Sequence, residues 1–381
     1  MIFYNARVFL DGRFVKGGFE VENGRFTRIF PNEEEAAAEA RQSAGARDLK
    51  GRKVIPGLVE THCHGALGSD FSDGNYAGLV RMGRYLLSCG VTSFAPASAT
   101  VPYEQLGRAY ETAARYRREA PRGCSFLAGI NMEGPFFSEK KKGAQNGAYL
   151  KAPDAEAFRR LNERAEGLIV LADVAPELPG ALDYIREVSK ICTVSLAHSA
   201  ANYDEASAGF EAGATHVTHL YNAMTGLAHR EPGMIGAAAE RSEVTAELIS
   251  DGFHVHPAAV RAAFKLFPGR ICLISDALCC LGMPDGQYAL GGQDVFLSGR
   301  LARLADGTIA GAASDLYSDM RHAVSFGIPE EEAILAATLN PAKSIGCDAE
   351  IGSIAPGKRA DFVVCAEDLE AREIYSASYF A

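Results

Sequence analysis

Between residues 53 and 275, short apolar runs alternate with amphipathic stretches, and this alternation constrains the fold more than any other feature of the chain. The runs fall at 53–59, 92–96, 125–132, 168–174, 193–197, 215–218, 245–250 and 271–275. Helix-like stretches lie between them, among them 76–88, 103–118, 182–189, 203–212 and 258–266. A helix between two strands supplies the long crossover that a parallel pair needs and covers a sheet face. Eight such strands predict an α/β protein with a (β/α)8 TIM-like barrel over residues 54–347. An open doubly wound sheet is the alternative. No GxGxxG follows the first run, which weakens a dinucleotide-binding form of it.

The two ends of the chain read differently. Alternating stretches in the first thirty residues are broken by Asp11-Gly12, Gly17-Gly18 and Asn23-Gly24, which are hairpin signals. Residues 33–41 are Ala- and Glu-rich and suit one helical turn or a surface loop. Near the other end, the turn residues at 351–357 lead into Asp361-Phe362-Val363-Val364, again a strand. Residues 1–53 and 348–381 therefore predict one small β-sandwich domain built from both chain termini.

Composition removes several function classes. The 381 residues are 48% hydrophobic and 23% charged, which excludes a disordered or collagen-like chain. A net charge of −10 argues against nucleic acid as a partner. No apolar run reaches the roughly 18–20 residues of a membrane span, and MIFYNARVFLDGR lacks the pattern of a signal peptide. The nine Cys include no CxxC and are odd in number, as expected of reduced thiols in a cytoplasmic protein.

Chemistry-bearing residues gather where the predicted strands end, the face on which barrels carry their sites. His62 and His64 follow the first run, Glu133 the third, His198 the fifth, His219 the sixth and Asp276 the eighth. In extended chain, His62 and His64 point to one face and can share one ion. The same spacing recurs at His254 and His256, so the pair alone is weak evidence; its place at a strand end strengthens it. Glu133, His198 and His219 supply one carboxylate and two imidazoles with a position left open, a donor set suited to catalytic Zn²⁺ and also to Fe²⁺, Co²⁺ or Mn²⁺. Asp276 at the same rim can move a proton between water and a leaving group; its alternative role is a helix cap.

These segments resemble the amidohydrolase superfamily. Val54-Ile55-Pro56-Gly57-Leu58-Val59-Glu60-Thr61-His62-Cys63-His64-Gly65 is similar to its opening signature, and residues 341–343 through 357–364 to its closing one. Met132-Glu133-Gly134-Pro135-Phe136, Lys142-Gly143-Ala144-Gln145-Asn146, Thr218-His219-Leu220-Tyr221-Asn222-Ala223-Met224, Arg230-Glu231-Pro232-Gly233 and Asp251-Gly252-Phe253-His254 are similar to the branch that deacetylates amino-sugar 6-phosphates. The resemblance implies that Glu133, His198 and His219 hold the main metal and that His62 and His64 help hold a second. It therefore implies one or two divalent metals, Zn²⁺ or Fe²⁺. It implies Asp276 as general base and then acid. Asn222, the backbone of Ala223, and His254 would contact a phosphosugar, with Arg230 reaching in from the partner subunit of a homodimer. Many relatives carry His where this chain has Gln145, a position that helps polarise the acetyl carbonyl; Gln donates a hydrogen bond but carries no charge.

The implied reaction is removal of the acetyl group from N-acetylglucosamine 6-phosphate, with the galacto epimer as the nearest alternative. Amide hydrolysis needs a polarised carbonyl and a protonated leaving nitrogen, which a divalent metal and Asp276 respectively address. A remote phosphate offers binding energy to hold the acetamide in place. Cyclic-amide opening is a further alternative, weakened by Glu133 standing where a barrel lysine would be carbamylated. A non-catalytic scaffold is the alternative from another class, and it would be expected to lose some of these residues.

Overall fold

The computed structural model describes residues 1–43 and 45–380; Ala44 and Ala381, both in the expected terminal unit, lie outside the described residues. The middle of the chain forms two arcs of parallel strands. One contains Leu58–Glu60, Val91–Phe94 and Phe126–Leu127. The other runs in chain order through Ile130–Met132, Ile169–Val174, Thr193–Leu196, His216–Val217, Thr245–Ile249 and Ile271–Ile274. Parallel bridges join the arcs, Ala97 to Asn131 on one side and Cys63 to Ala277 on the other. Beside the second bridge, Asp276 N donates to His62 O at 2.9 Å. The result is a strongly curled parallel sheet.

Helices cover the outside of this sheet, so its strands are apolar on both faces; Val91–Phe94 and Ile271–Ile274 are buried throughout. Helix Tyr103–Glu119 buries Leu106, Ala109, Tyr110, Ala113 and Tyr116, an apolar stripe at helical spacing. Helix Ala155–Arg164 begins at Asp154, whose side chain accepts from Glu156 N and Ala157 N and so satisfies two free amides of the first turn.

Three sequence expectations change. The run at 53–59 is two strands, because Lys53–Pro56 pairs with Ile2–Leu10 and Phe362–Cys365 while Leu58–Glu60 pairs with Val91–Phe94. Gly57 makes the switch possible: a Cβ there would lie 2.1 Å from Thr92 Oγ1. The stretch near 33–41 is a full helix, Glu33–Gln42, started by Asn32, whose Oδ1 accepts from Glu35 N at 2.7 Å. Residues 286–312, for which no element was expected, form a four-stranded antiparallel sheet of Gly286–Leu290, Gln293–Ser298, Leu301–Leu304 and Ile309–Ala312.

Both termini enter one seven-stranded sheet. Its core is aromatic, with ring centroids of Phe3 and Phe19 5.1 Å apart and those of Phe19 and Phe362 4.9 Å apart. Phe26 of Arg25–Phe30 lies only 6.1 Å from Phe362, although three strands separate theirs in sheet order. Flat strands at about 4.8 Å spacing would hold them roughly 19 Å apart. The sheet therefore bends back on itself, and Phe26 N donates to Lys358 O at 3.0 Å across the bend.

Candidate active site

Each residue singled out at a strand end lies just past one. His62 and His64 follow Leu58–Glu60, Glu133 follows Ile130–Met132, His198 follows Thr193–Leu196, His219 follows His216–Val217 and Asp276 follows Ile271–Ile274. His198, His219 and Asp276 have φ of 44°, 31° and 50°. Residues with a Cβ rarely adopt this left-handed conformation, and its cost is tolerated where surrounding contacts hold it.

The side chains converge on one carboxylate. Glu133 Oε1 is 3.0 Å from His198 Nε2, 3.3 Å from His219 Nε2 and 3.5 Å from His62 Nε2. Glu133 Oε2 is 3.3 Å from His64 Nε2. All five side chains are buried. Burial, the largest influence, pushes the Glu133 carboxyl up, but the imidazoles of His62, His198 and His219 outweigh it and hold it well below the usual carboxylate range.

This donor set fits a divalent cation. His62 Nε2 is buried and has no hydrogen-bond partner among the described residues, and His198 Nε2 faces His219 Nε2 at 3.0 Å. Buried polar atoms are normally satisfied, and nitrogen lone pairs that face one another across a carboxylate are satisfied by a cation among them. Two groups, His62/His64/Glu133 and Glu133/His198/His219, each have donor atoms within 4.8 Å of one another and share Glu133.

A second layer aims these imidazoles. His62 Nδ1 lies 2.9 Å from Glu247 Oε2, and His219 N donates to the same oxygen at 3.3 Å. His198 Nδ1 lies 3.0 Å from Lys141 O. An Nδ1–H donated to oxygen leaves Nε2 as the ligating atom. Burial raises the Glu247 carboxyl, but His62 and His216 outweigh it and bring it to about 2. Glu247 was not anticipated. Its signal is a carboxylate inside the otherwise apolar run Thr245-Ala246-Glu247-Leu248-Ile249.

A cavity of about 160 Å³ opens beside the cluster. Its wall includes His64, Glu133, His198, His219 and Asp276, together with Gln145, Asn222, Ala223 and His254. His62 lies behind this wall. Leu290 and residues 308–311 of the antiparallel sheet close another side, a contribution that sequence reasoning missed. Asp276 Oδ1 is 3.3 Å from His64 Nε2 and 3.7 Å from His62 Nε2. Gln145 Oε1 accepts from Thr100 N at 2.7 Å and Nε2 donates to Glu133 Oε2 at 2.6 Å, leaving one amide hydrogen. Asn222 Nδ2 donates to the carbonyls of His219 and Leu220. His254 Nδ1 lies 2.8 Å from Asp251 Oδ2. Burial, the largest influence, lowers the His254 pKa, but Asp251 outweighs it and the net shift is upward. Arg230 is not on this wall; it is exposed in the turn where Ala228 N donates to Glu231 O.

A family model described as the amidohydrolase family matches residues 53–379. This chain belongs to the amidohydrolase family. It is 34% identical over 349 residues to an N-acetylglucosamine-6-phosphate deacetylase of Vibrio furnissii, covering 91% of this chain and 86% of that one. It is 36% identical to an N-acetylgalactosamine-6-phosphate deacetylase of Escherichia coli O157:H7, covering 84% and 86%. Among solved structures, a mutant N-acetyl-D-glucosamine-6-phosphate deacetylase from Mycobacterium smegmatis, in complex with N-acetyl-D-glucosamine-6-phosphate, superposes with a TM-score of 0.91. It is 32% identical, and the match covers 99% of this chain and 98% of that one. The amidohydrolase fold thus extends over essentially the whole chain.

Proposed function

We propose that the chain hydrolyses the acetamide of N-acetyl-D-glucosamine 6-phosphate to D-glucosamine 6-phosphate and acetate, in amino-sugar catabolism. The observation that carries this reading is the convergence of four imidazoles on Glu133 beside a cavity walled by Asp276 and Gln145. Relatives of matching length named for that reaction support the substrate class. The galacto epimer is a second reading, favoured by the 36% identical relative named for it.

Glu133, His198 and His219 would hold one divalent cation, Zn²⁺ or Fe²⁺, and His62 and His64 with Glu133 a second. Such a cation, when bound, polarises an amide carbonyl and lowers the pKa of water. Asp276 accepts a proton at its carboxylate and delivers it to the departing amine nitrogen. Gln145, fixed at both ends of its amide, directs its remaining N–H at the acetyl oxygen. Asn222, the Ala223 backbone and His254 hold the sugar phosphate, and the Asp251 carboxylate favours the cationic form of His254 toward that anion. Arg230, exposed on its own subunit, serves the partner subunit's site in a homodimer.

The curled sheet and its two bridges support a closed (β/α)8 barrel that begins at Leu58 rather than at the expected residue 54, and the bent terminal sheet supports a β-sandwich domain of 1–53 and 348–381 that also takes Val54–Pro56. No helix among the described residues is long and apolar enough to cross a membrane, and all nine cysteines are free, which fits a cytoplasmic setting.

Acetate release from the gluco and galacto 6-phosphates and from the unphosphorylated sugars tests this reading. A 6-phosphate is expected to turn over with kcat/KM at least about tenfold above its unphosphorylated form, because the phosphate contributes binding energy. Arg230→Ala is expected to remove most of that advantage. Absence of release from all four sugars contradicts the reading.

A further inference from the structure

A second cavity, of about 360 Å³, lies where the end of helix Tyr103–Glu119 meets the terminal sheet. It shares no wall residue with the cavity beside Glu133. Phe126 on its wall begins the strand segments that end at Met132, so it lies at the opposite end of the parallel strands from Glu133. Its volume is at the lower end of the roughly 300–1,000 Å³ that small-molecule clefts span.

Four arginines line this cavity, Arg25, Arg117, Arg122 and Arg359, on a protein whose net charge is −10. The Arg117 and Arg359 guanidinium carbons lie 4.0 and 4.1 Å from the centroid of the same Phe126 ring, bringing the two cations within about 8 Å of each other. Two of the four are matched by carboxylates, Arg25 by Glu350 at 3.2 Å and Arg359 by Asp361 at 2.9 Å. Arg117 and Arg122 have no ion pair among the described residues, and the hydrogen bond seen for Arg117 goes to the carbonyl of Leu127 at 2.5 Å. Burial, the largest influence, pushes the Arg117 guanidinium below its ordinary range; Glu350, already paired with Arg25, opposes this and Arg359 adds to it. Like charges brought together and partly desolvated cost stability unless a counter-charge joins them.

We propose that this cavity binds a small ligand through a dianionic phosphoryl group, free or carried on a sugar. The two carboxylates leave two guanidinium charges unmatched, the charge of one phosphate dianion. Guanidinium forks match phosphate oxygens in pairs. The volume around the arginines leaves room for a carbon skeleton on the phosphate.

Calorimetric titration of the full chain with inorganic phosphate and with glucose 6-phosphate, which has no acetamide to cleave, tests the proposal. The expected result is a class of site that survives His254→Ala and weakens at least about tenfold in Arg117→Met and in Arg122→Gln, each of which loses a charge-assisted bond. Arg122 is exposed, so its replacement leaves the fold intact. Equal affinity for the two probes assigns the site to free phosphate; tighter glucose 6-phosphate binding assigns it to an ester. Binding unchanged in both arginine variants, or no binding apart from a His254-sensitive class, overturns the proposal.

Discussion

The bent terminal sheet and the rim of the parallel strands are both buried, but they are buried differently. In the sheet, Phe3, Phe19, Phe26, Phe362 and Tyr375 pack ring against ring, and charges around them are held in ion pairs, such as Arg28–Glu20 at 2.9 Å and that of the buried Lys53 with Glu330 at 2.7 Å. At the rim, Glu133 and four imidazoles lie within 3.5 Å contacts, and His198, His219 and the adjoining Asp276 hold left-handed backbone. Apolar burial stabilises a fold without regard to direction. Buried charge costs stability unless partners are placed around it, so it persists where those partners serve another purpose. Stability and chemistry should therefore respond to different substitutions.

The largest effect is expected at the rim's centre. Glu133→Gln removes the charge that all four imidazoles face and the ligand shared by both donor groups, so turnover and metal content should fall together to background. Elemental analysis of purified protein beside an acetate assay reads both; wild-type metal content in the variant would contradict the assignment.

Phe362→Ala gives the reverse pattern. Removing a fully buried ring should cost about 3–5 kcal/mol in denaturant unfolding, while kcat of the remaining folded protein stays near wild type. A large fall in kcat at unchanged stability would erase the distinction between the two regions.

Asp276→Asn sharpens it from the other side. It should keep metal and lower kcat by roughly 10²-fold or more, the usual contribution of a general acid–base group. If Asp276 only caps the turn, unfolding free energy should drop and kcat should hold.

The smallest of these effects concerns the second layer. Glu247→Gln keeps shape and removes the charge opposite His62 Nδ1, so metal affinity should weaken by about 10–100-fold. Chelator competition measures it, and unchanged affinity would mean that Glu247 serves packing alone.

The sequence made the rim more legible than the sheet. His62, Glu133, His198, His219 and Asp276 each follow an apolar run, and strand ends of a curled parallel sheet lie on one face, so local pattern sufficed to bring them together. Glu247 was missed because it lies inside its run, where nothing local says what a buried carboxylate will meet. The run at 53–59 reads as one strand by composition; that its halves pair into different sheets, with Gly57 packed against Thr92 at the switch, has no local signal. Residues 286–312 carry Gly291-Gly292 and Asp306-Gly307, turn signals between short runs, yet their place against the cavity is a matter of tertiary packing. Arg230 sits in an exposed turn of a single subunit, and its proposed role depends on a second copy of the chain.

Metal-dependent deacetylation of an amino-sugar 6-phosphate is tested most directly by acetate release from N-acetylglucosamine 6-phosphate by protein of known metal content, before chelation, after it, and after divalent metal is restored. One acetate per glucosamine 6-phosphate formed, loss of turnover on chelation, and recovery with metal are expected. Undiminished turnover in metal-free protein, or no acetate from fully loaded protein on either the gluco or the galacto 6-phosphate, would contradict this chemistry.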